Sequence, residues 1–172
     1  ELDGVGAHGR PEGVALDMVA KESQDGHALE RGHPRGISPS PGLDGHQRPE
    51  EIAKAMSELG LAYWAITDHS KASFQANGLD AARLRQELKE IKQINEKLAS
   101  EGTRFRLLTG VEVDILKDGQ LDLPDAMLAE LDVVVASIHQ SFTQTEAETT
   151  QRLIGAAQNP YVHILGHLTG RL

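Results

Sequence analysis

The clearest strand in the sequence reads Asp132-Val133-Val134-Val135-Ala136-Ser137-Ile138, and His139 follows it directly. Successive β-branched residues between polar flanks are typical of a strand. The imidazole of His139 is therefore expected at the carboxyl end of this strand.

The segments on either side of this strand alternate between helix and strand. Short apolar runs predict three further strands, at 61–67, 105–115 and 161–165. Apolar residues at helical spacing predict four helices, at 49–59, 80–99, 124–131 and 145–158. This alternation predicts βαβ units and an α/β fold with parallel strands. The pattern leaves open whether the sheet is open or closed into a barrel.

The first part of the chain differs in composition from the rest. Glycine, proline, histidine and aspartate dominate it, and residues 32–42 are dense in glycine and proline. Such residues interrupt both helices and strands. We expect residues 1–42 to form an irregular, loop-like or disordered segment, and residues 43–172 to form one folded domain.

Composition excludes several classes of protein. The chain has 172 residues, no cysteine and a formal net charge of −9. Disulfides and thiolate metal sites are therefore impossible, and a stand-alone DNA clamp that depends on Lys and Arg is disfavoured. Aromatic residues make up only 3% of the chain, which argues against a base-stacking platform. No apolar run is long enough to span a bilayer, so a cytoplasmic protein without membrane contact is expected.

A metal-ligand type recurs near the carboxyl end of each predicted strand. The residues, in chain order, are His69, Glu112, His139 and His167. In an α/β fold the carboxyl ends of parallel strands lie on one side, where ligands gather. Imidazole and carboxylate bind zinc, manganese and iron. The recurrence therefore predicts a site for divalent metal ions.

Each of these residues has an ordinary structural interpretation when taken alone. A single histidine at a strand end is commonly a hydrogen-bonded structural residue. Glu112 is less ordinary, because it stands between two valines of a predicted strand and a buried carboxylate is costly unless it is paired or metal-bound. Asp68 is interpreted either as a ligand or as a residue that orients His69. Lys71 and Arg171 are either phosphate-binding or ordinary surface cations.

Several motifs around these residues resemble the PHP (polymerase and histidinol phosphatase) domain family, most closely the PHP domain of bacterial family X DNA polymerases. The similarity runs from about 43 to 172. The motifs are Ala65-Ile66-Thr67-Asp68-His69-Ser70-Lys71, Leu108-Thr109-Gly110-Val111-Glu112-Val113-Asp114-Ile115, Leu131-Asp132-Val133-Val134-Val135-Ala136-Ser137-Ile138-His139, and Asn159-Pro160-Tyr161-Val162-His163-Ile164-Leu165-Gly166-His167.

The resemblance implies a distorted seven-stranded (β/α) barrel around two or three divalent ions, of which this chain holds a part. It implies five metal ligands, which are Asp44, His69, Glu112, His139 and His167. It also implies that Glu112 bridges ions and that Glu112 and His139 are catalytic. The implied activity is hydrolysis of phosphodiesters or phosphomonoesters. For family X polymerases it is 3′-5′ exonuclease trimming of DNA ends in repair, by a domain covalently linked to the polymerase.

Two features depart from the family pattern. The family's first strand carries a His-x-His motif, but the corresponding positions here, 36–41, contain no histidine. The family's Asp-Ala-His motif belongs to a strand that would lie beyond Leu172, so the chain is expected to be truncated there. Two alternatives therefore stay open: a degenerate, non-catalytic PHP domain that supports a polymerase, and another metal hydrolase, histidinol-phosphatase-like or amidohydrolase-like.

Overall fold

The computed structural model of the chain describes residues 48–168. The predicted irregular segment 1–42 lies outside the described residues, and so do Asp44 and Arg171. Within this range, helices and strands alternate along the chain. They are helix α1 (Pro49–Glu58), strand β1 (Tyr63–His69), a short 3-10 turn (Phe74–Ala76), helix α2 (Ala81–Ser100), strand β2 (Arg106–Asp114), helix α3 (Asp125–Leu128), strand β3 (Val133–Ser137), helix α4 (Glu146–Ala157) and strand β4 (Ile164–Leu165).

The strands form a parallel sheet in the order β1-β2-β3-β4. Each strand thus pairs with the one before it in the sequence, as expected when a helix or loop crosses back between consecutive parallel strands. The register places His69 beside Glu112, and Asp114 beside Ser137. The predicted α/β fold with parallel strands is confirmed.

Local capping interactions explain where the longer helices begin. The Asp80 side chain accepts hydrogen bonds from the backbone N–H groups of Ala82 and Arg83, at 2.9 Å each, before the first turn of α2. At α4, the Thr145 hydroxyl and the Glu148 carboxylate form a reciprocal capping box. These interactions fix the helix starts that the sequence predicts.

Apolar side chains form two clusters between the sheet and the helices. In the larger cluster, valines of β2 and β3 pack with residues of α2, α3 and α4; its fully buried members include Leu84, Val111, Val113, Ile115, Met127 and Val134. In the smaller cluster, α1 and α2 pack on the first half of the sheet; its members include Ile52, Ala53, Ile66, Ile91, Phe105 and Leu107. Burial of this apolar surface holds the strand ends in a fixed arrangement.

Some element boundaries differ from those the sequence predicts. Strand β1 starts and ends two residues later than the predicted 61–67, so it includes His69. Helix α3 ends at Leu128 rather than at Leu131. Strand β4 is only two residues long, and just before it the Nδ1 atom of His163 accepts a hydrogen bond from the Val134 N–H at 3.1 Å. His163 thus has a structural role, as an acceptor for the backbone of β3.

A buried arginine ties the segments after β2 and β3 to helix α4. Arg152 is 2% exposed, and its guanidinium donates hydrogen bonds to the carbonyl oxygens of Ile115 and Gln140 and to the Gln144 side chain. Its three acceptors lie in two segments, Ile115 after β2 and the two glutamines after β3, so Arg152 fixes the segment that follows His139. Within residues 48–168, no helix has both the length and the apolar character that crossing a bilayer requires.

Candidate metal centre

The four predicted donors lie together at the carboxyl-terminal end of the sheet, and each comes from a different strand or from the residues just after it. His69 is the last residue of β1, and Glu112 lies in β2 directly beside it. His139 and His167 each follow the last residue of their strand, β3 and β4, by two positions. Because the strands are parallel, their carboxyl ends meet, and these four side chains come together.

The Glu112 carboxylate lies at the centre of this group. Its Oε1 atom is 3.1 Å from the Nε2 atom of His139 and 3.0 Å from the Nε2 atom of His167. Those two Nε2 atoms are 3.2 Å apart, so the three atoms form a nearly regular triangle. Its Oε2 atom is 3.9 Å from the Nδ1 atom of His69. The two oxygens of Glu112 therefore face two different groups of imidazoles.

The imidazole rings enclose a small space beside Glu112. The rings of His69 and His139 are nearly perpendicular, with centroids 4.7 Å apart, and the rings of His139 and His167 are tilted, with centroids 5.0 Å apart. One donor atom from each of His69, Glu112 and His139 lies within 4.8 Å of the others. This separation is small enough for one ion to contact several of them.

The electrostatics of the cluster keep Glu112 ionised. Burial opposes its ionisation, but hydrogen bonding to His139 and the proximity of the other imidazoles outweigh burial and lower the pKa of Glu112 to about 2. Burial would lower the pKa of His139, but Asp114 and Glu112 raise that pKa to about 9. For His69, burial dominates and lowers the pKa of the ring. The site thus combines a carboxylate anion with two imidazoles whose pKa values are shifted in opposite directions, upwards for His139 and downwards for His69.

These donors fit a divalent transition-metal ion. Ligand atoms ~2.0–2.1 Å from a tetrahedral zinc ion are separated by about 3.3 Å, and the sides of the triangle are 3.0–3.2 Å. Three lone pairs at this separation repel one another unless a proton or a cation lies among them. The Nδ1 atom of His69 is buried without a hydrogen-bond partner, which also suits a metal ligand.

The structure locates the other predicted site residues less centrally. Lys71 is exposed just after β1, on the same side of the sheet as the donor cluster. Asp68 is fully buried beside Glu87 of α2 and is not among the donors gathered around Glu112. Asp44 and Arg171 lie outside the described residues, so their roles stay predictions.

Sequence reasoning missed two residues that contact the ring of His139. Asp114 is fully buried, and its Oδ1 atom is 3.2 Å from the Nδ1 atom of His139. Ser73 lies in the loop after β1, and its Oγ atom is 3.0 Å from the same nitrogen. Strand alternation could have indicated Asp114, because it is two residues beyond Glu112 and faces the same side. No sequence pattern indicated Ser73.

The fold and this cluster define a class of protein: an α/β domain that gathers imidazoles and a carboxylate where its parallel strands end. A sequence model described as "PHP domain" matches residues 40–170. The match covers about three quarters of the sequence, and the chain belongs to the PHP domain family. The resemblance deduced from the motifs is thereby confirmed.

The individual relatives are named either as a DNA polymerase/3'-5' exonuclease or as probable phosphatases. The chain is 50% identical, over 129 residues, to a Bacillus subtilis (strain 168) protein named DNA polymerase/3'-5' exonuclease PolX, covering 75% of this chain and 22% of that protein. It is 34% identical over 121 residues to a probable phosphatase of Thermoanaerobacter sp. (strain X514), covering 68% and 45%. It is 43% identical over 121 residues to a probable phosphatase of Clostridium botulinum (strain Hall), covering 69% and 46%. The chain therefore spans less than half the length of these relatives.

Proposed function

We propose that the chain is a metal-dependent phosphoesterase domain, which hydrolyses phosphodiesters or phosphomonoesters with a metal-activated water. The observation that carries this proposal is the position of the two carboxylate oxygens of Glu112, which lie close to different imidazoles. One carboxylate oxygen faces His139 and His167, and the other faces His69. A carboxylate with this orientation can bridge two cations, which is the arrangement that two-metal phosphoester hydrolysis uses.

Each donor has a definite role in this proposal. When ions are bound, His139 and His167 would hold one, His69 together with Asp44 would hold another, and Glu112 would be shared between them. Divalent ions, when bound, supply Lewis acidity that acidifies a water molecule and offsets charge on the phosphoryl oxygens. The buried core beneath the strand ends keeps the donors in place, so little reorganisation accompanies the reaction. These ligand types suit zinc, manganese and iron alike.

For the substrate, we propose the phosphodiester at the 3′ end of a DNA strand, in a protein whose polymerase is covalently linked to this domain. Support comes from the relative named DNA polymerase/3'-5' exonuclease PolX, with 50% identity over 129 residues. The formal net charge of −9 also fits a domain that depends on metals or on a neighbouring domain to hold DNA. Lys71, exposed beside His69, is proposed to contact a phosphate, and Arg171 is proposed to do the same.

A second candidate function is hydrolysis of a phosphorylated small molecule. It is favoured by two relatives named as probable phosphatases, with 34% and 43% identity over 121 residues. The same metal chemistry serves both substrate classes, because both reactions displace an oxygen from phosphorus. The difference lies in what surrounds the donors, so activity on matched substrates separates the two candidates.

The first prediction concerns Glu112→Gln. Replacing the carboxylate by an amide removes the bridging charge, so Mn²⁺-dependent hydrolysis of bis-p-nitrophenyl phosphate should fall by at least about 100-fold. The circular dichroism spectrum should stay unchanged, because Glu112 contributes little to the apolar core. Glu130→Gln, at an exposed position after α3, is the matched control and should retain wild-type turnover.

Three outcomes of this assay are informative. Release of nucleotides from a 3′-labelled DNA strand supports the exonuclease proposal, and preferential hydrolysis of p-nitrophenyl phosphate supports the small-molecule candidate. Absence of turnover from both substrates, with metal bound in stoichiometric amount, contradicts the phosphoesterase proposal. That last result would favour a non-catalytic, supporting role.

A further inference from the structure

The end of strand β2 carries a charged residue that the proposed reaction does not use. Asp114 is fully buried and lies two residues beyond Glu112. A buried carboxylate is costly unless other groups compensate for its lost hydration. Its backbone N–H donates to the Oγ atom of Ser70 at 2.9 Å, so the backbone of Asp114 is fixed by the segment after β1. The carboxylate itself has a separate set of contacts.

Those contacts connect three side chains from three segments. The Ser73 hydroxyl donates to the Oδ2 atom of Asp114 at 2.6 Å. The Oδ1 atom of Asp114 is 3.2 Å from the Nδ1 atom of His139, and the Oγ atom of Ser73 is 3.0 Å from that nitrogen. Asp114 and Ser73 therefore contact the side of the ring that faces away from Glu112.

The hydrogen atoms in this group can be assigned from the donor and acceptor inventory. A serine hydroxyl has one proton, and here it is directed to Asp114. Its remaining lone pairs, like the carboxylate oxygen, can only accept a hydrogen bond from the ring. Nδ1 of His139 must then bear a proton, so a metal ion that displaces the proton of Nε2 meets a lone pair directed towards Glu112 and His167.

We propose that Asp114 and Ser73 are positioning residues that fix the Nδ1–H tautomer and the ring orientation of His139, so that its Nε2 atom binds the metal ion. This inference rests on the proposed function only in assuming that an ion binds at the cluster. A hydrogen bond from the second ring nitrogen, here to the Ser73 hydroxyl, orients a ligating imidazole, and the carboxylate of Asp114, 3.2 Å from that nitrogen, increases its basicity. Asp114 does not touch substrate, because no part of it is exposed.

The presence of serine, histidine and aspartate side by side does not make this group a nucleophilic triad. In such a triad the serine and the acid contact opposite nitrogens of the imidazole. Here both contact Nδ1. Ser73 is also 8% exposed, and its proton is already donated to Asp114, so its oxygen is neither accessible nor activated. The geometry suits orientation of the ring rather than attack on a substrate.

The test measures Zn²⁺ binding and the state of the ring in the 172-residue chain. Asp114→Asn removes the charged acceptor, so the dissociation constant for Zn²⁺ from calorimetry should rise by about 10- to 100-fold. Ser73→Ala should have a smaller effect in the same direction. Asp122→Asn is the matched control: this carboxylate accepts from the Ala72 N–H at 2.6 Å, in the same loop, but does not contact the ring. It should leave the affinity within about twofold of wild type.

A spectroscopic measurement separates positioning from a merely structural role. In the Zn²⁺-loaded, ¹⁵N-labelled wild type, His139 should bind through Nε2 and show a protected Nδ1–H proton signal. That proton should exchange faster with solvent in Ser73→Ala and in Asp114→Asn. Coordination through Nδ1 in the wild type would overturn the proposal, even if Asp114→Asn fails to fold.

The outcome is also independent of whether the domain hydrolyses phosphoesters. A wild type that binds Zn²⁺ through Nε2 of His139, with the predicted effects of both variants, upholds the positioning role even if no substrate is turned over. Conversely, an active wild type whose Asp114→Asn variant keeps its affinity and its Nδ1–H signal refutes the positioning role. The phosphoesterase proposal would survive that result.

Discussion

Glu87 shows how a single side chain can depart from the pattern of its helix. The charged residues of an amphipathic helix ordinarily form a solvated face, but Glu87 is only 6% exposed. Burial, followed by the neighbouring carboxyl group of Asp68, raises the pKa of Glu87 to about 10. The sequence held a signal for this, because Glu87 lies three residues after Leu84 and four before Ile91 on the apolar face of α2.

Glu87→Gln is expected to stabilise the domain increasingly as pH rises. The pKa of Glu87 is higher in the folded state than in the unfolded state. The wild-type carboxyl therefore makes its full contribution to stability below about pH 4.5, and this contribution is lost as pH rises towards about 10. A glutamine mimics the neutral acid and does not ionise when unfolded. The free energy of unfolding of Glu87→Gln minus that of the wild type should therefore increase by about 3 kcal/mol as the pH rises from about 5 to about 7.

Urea denaturation at the two pH values measures this difference. Glu96→Gln, at an exposed position on the same helix, is the control and should show little pH dependence relative to wild type. If the difference between Glu87→Gln and wild type does not change with pH, Glu87 is ionised in the folded protein.

The sequence indicates that the four candidate donors lie close together, but it does not indicate the residues that support them. His69, Glu112, His139 and His167 recur in step with the strands, and that periodicity is visible in the sequence. Ser73 reaches His139 only because the segment after β1 folds back over the strand ends, through the Leu79 N–H to His69 carbonyl hydrogen bond of 2.6 Å. Such contacts depend on loop conformation, which has no periodic signature.

Among the elements, strand β2 shows why a glycine lies within a long apolar strand. A Cβ atom at Gly110 would be 2.6 Å from the Thr67 side chain and 2.8 Å from the Ile66 carbonyl oxygen. The backbones approach closely at Gly110, and the pairing with β1 continues through it in register. The glycine therefore permits β1 and β2 to bring His69 and Glu112 side by side.

Gly110→Ala is expected to destabilise the domain by about 1–3 kcal/mol, because the added methyl group meets backbone atoms that cannot move aside. Thermal unfolding of the metal-free protein measures the effect. Gly155→Ala, on helix α4, is the control: its nearest contact would be 3.4 Å, and alanine favours the helix by up to about 1 kcal/mol. Equal stability of the two variants would show that β1 and β2 adjust freely at this point.

Strand β4 illustrates what periodicity cannot indicate about an element. Residues 161–165 have an apolar pattern, yet only Ile164–Leu165 form the strand. The Asn159 side chain accepts from the Tyr161 N–H, at 2.9 Å, and the His163 side chain accepts from the Val134 N–H of β3, so two of the backbone groups around the start of the strand bond to side chains instead of carbonyls. Competition of this kind shortens strands without changing their hydrophobic pattern.

For the molecule as a whole, the donors come from four separate strands, so ion binding stabilises the complete sheet. An ion that binds only the folded state adds about 2.7 kcal/mol at a free concentration one hundred times Kd. In a domain of this size, that corresponds to a rise in Tm of about 5–10 °C. Scanning calorimetry with added Zn²⁺ should show this rise in the wild type and little of it in Glu112→Gln. An equal rise in both would locate the bound ions elsewhere.

The order of the strands also has a consequence for synthesis on the ribosome. The donors emerge in the sequence His69, Glu112, His139, His167, and each new strand pairs beside the one made before it. The sheet can thus grow at a single edge as the chain lengthens, without threading. An ion captured by the nascent chain is held by fewer donors and exchanges readily. Among the described residues, His167 is the last of the candidate donors to be made, so these four can act together on an ion only once translation has passed β4.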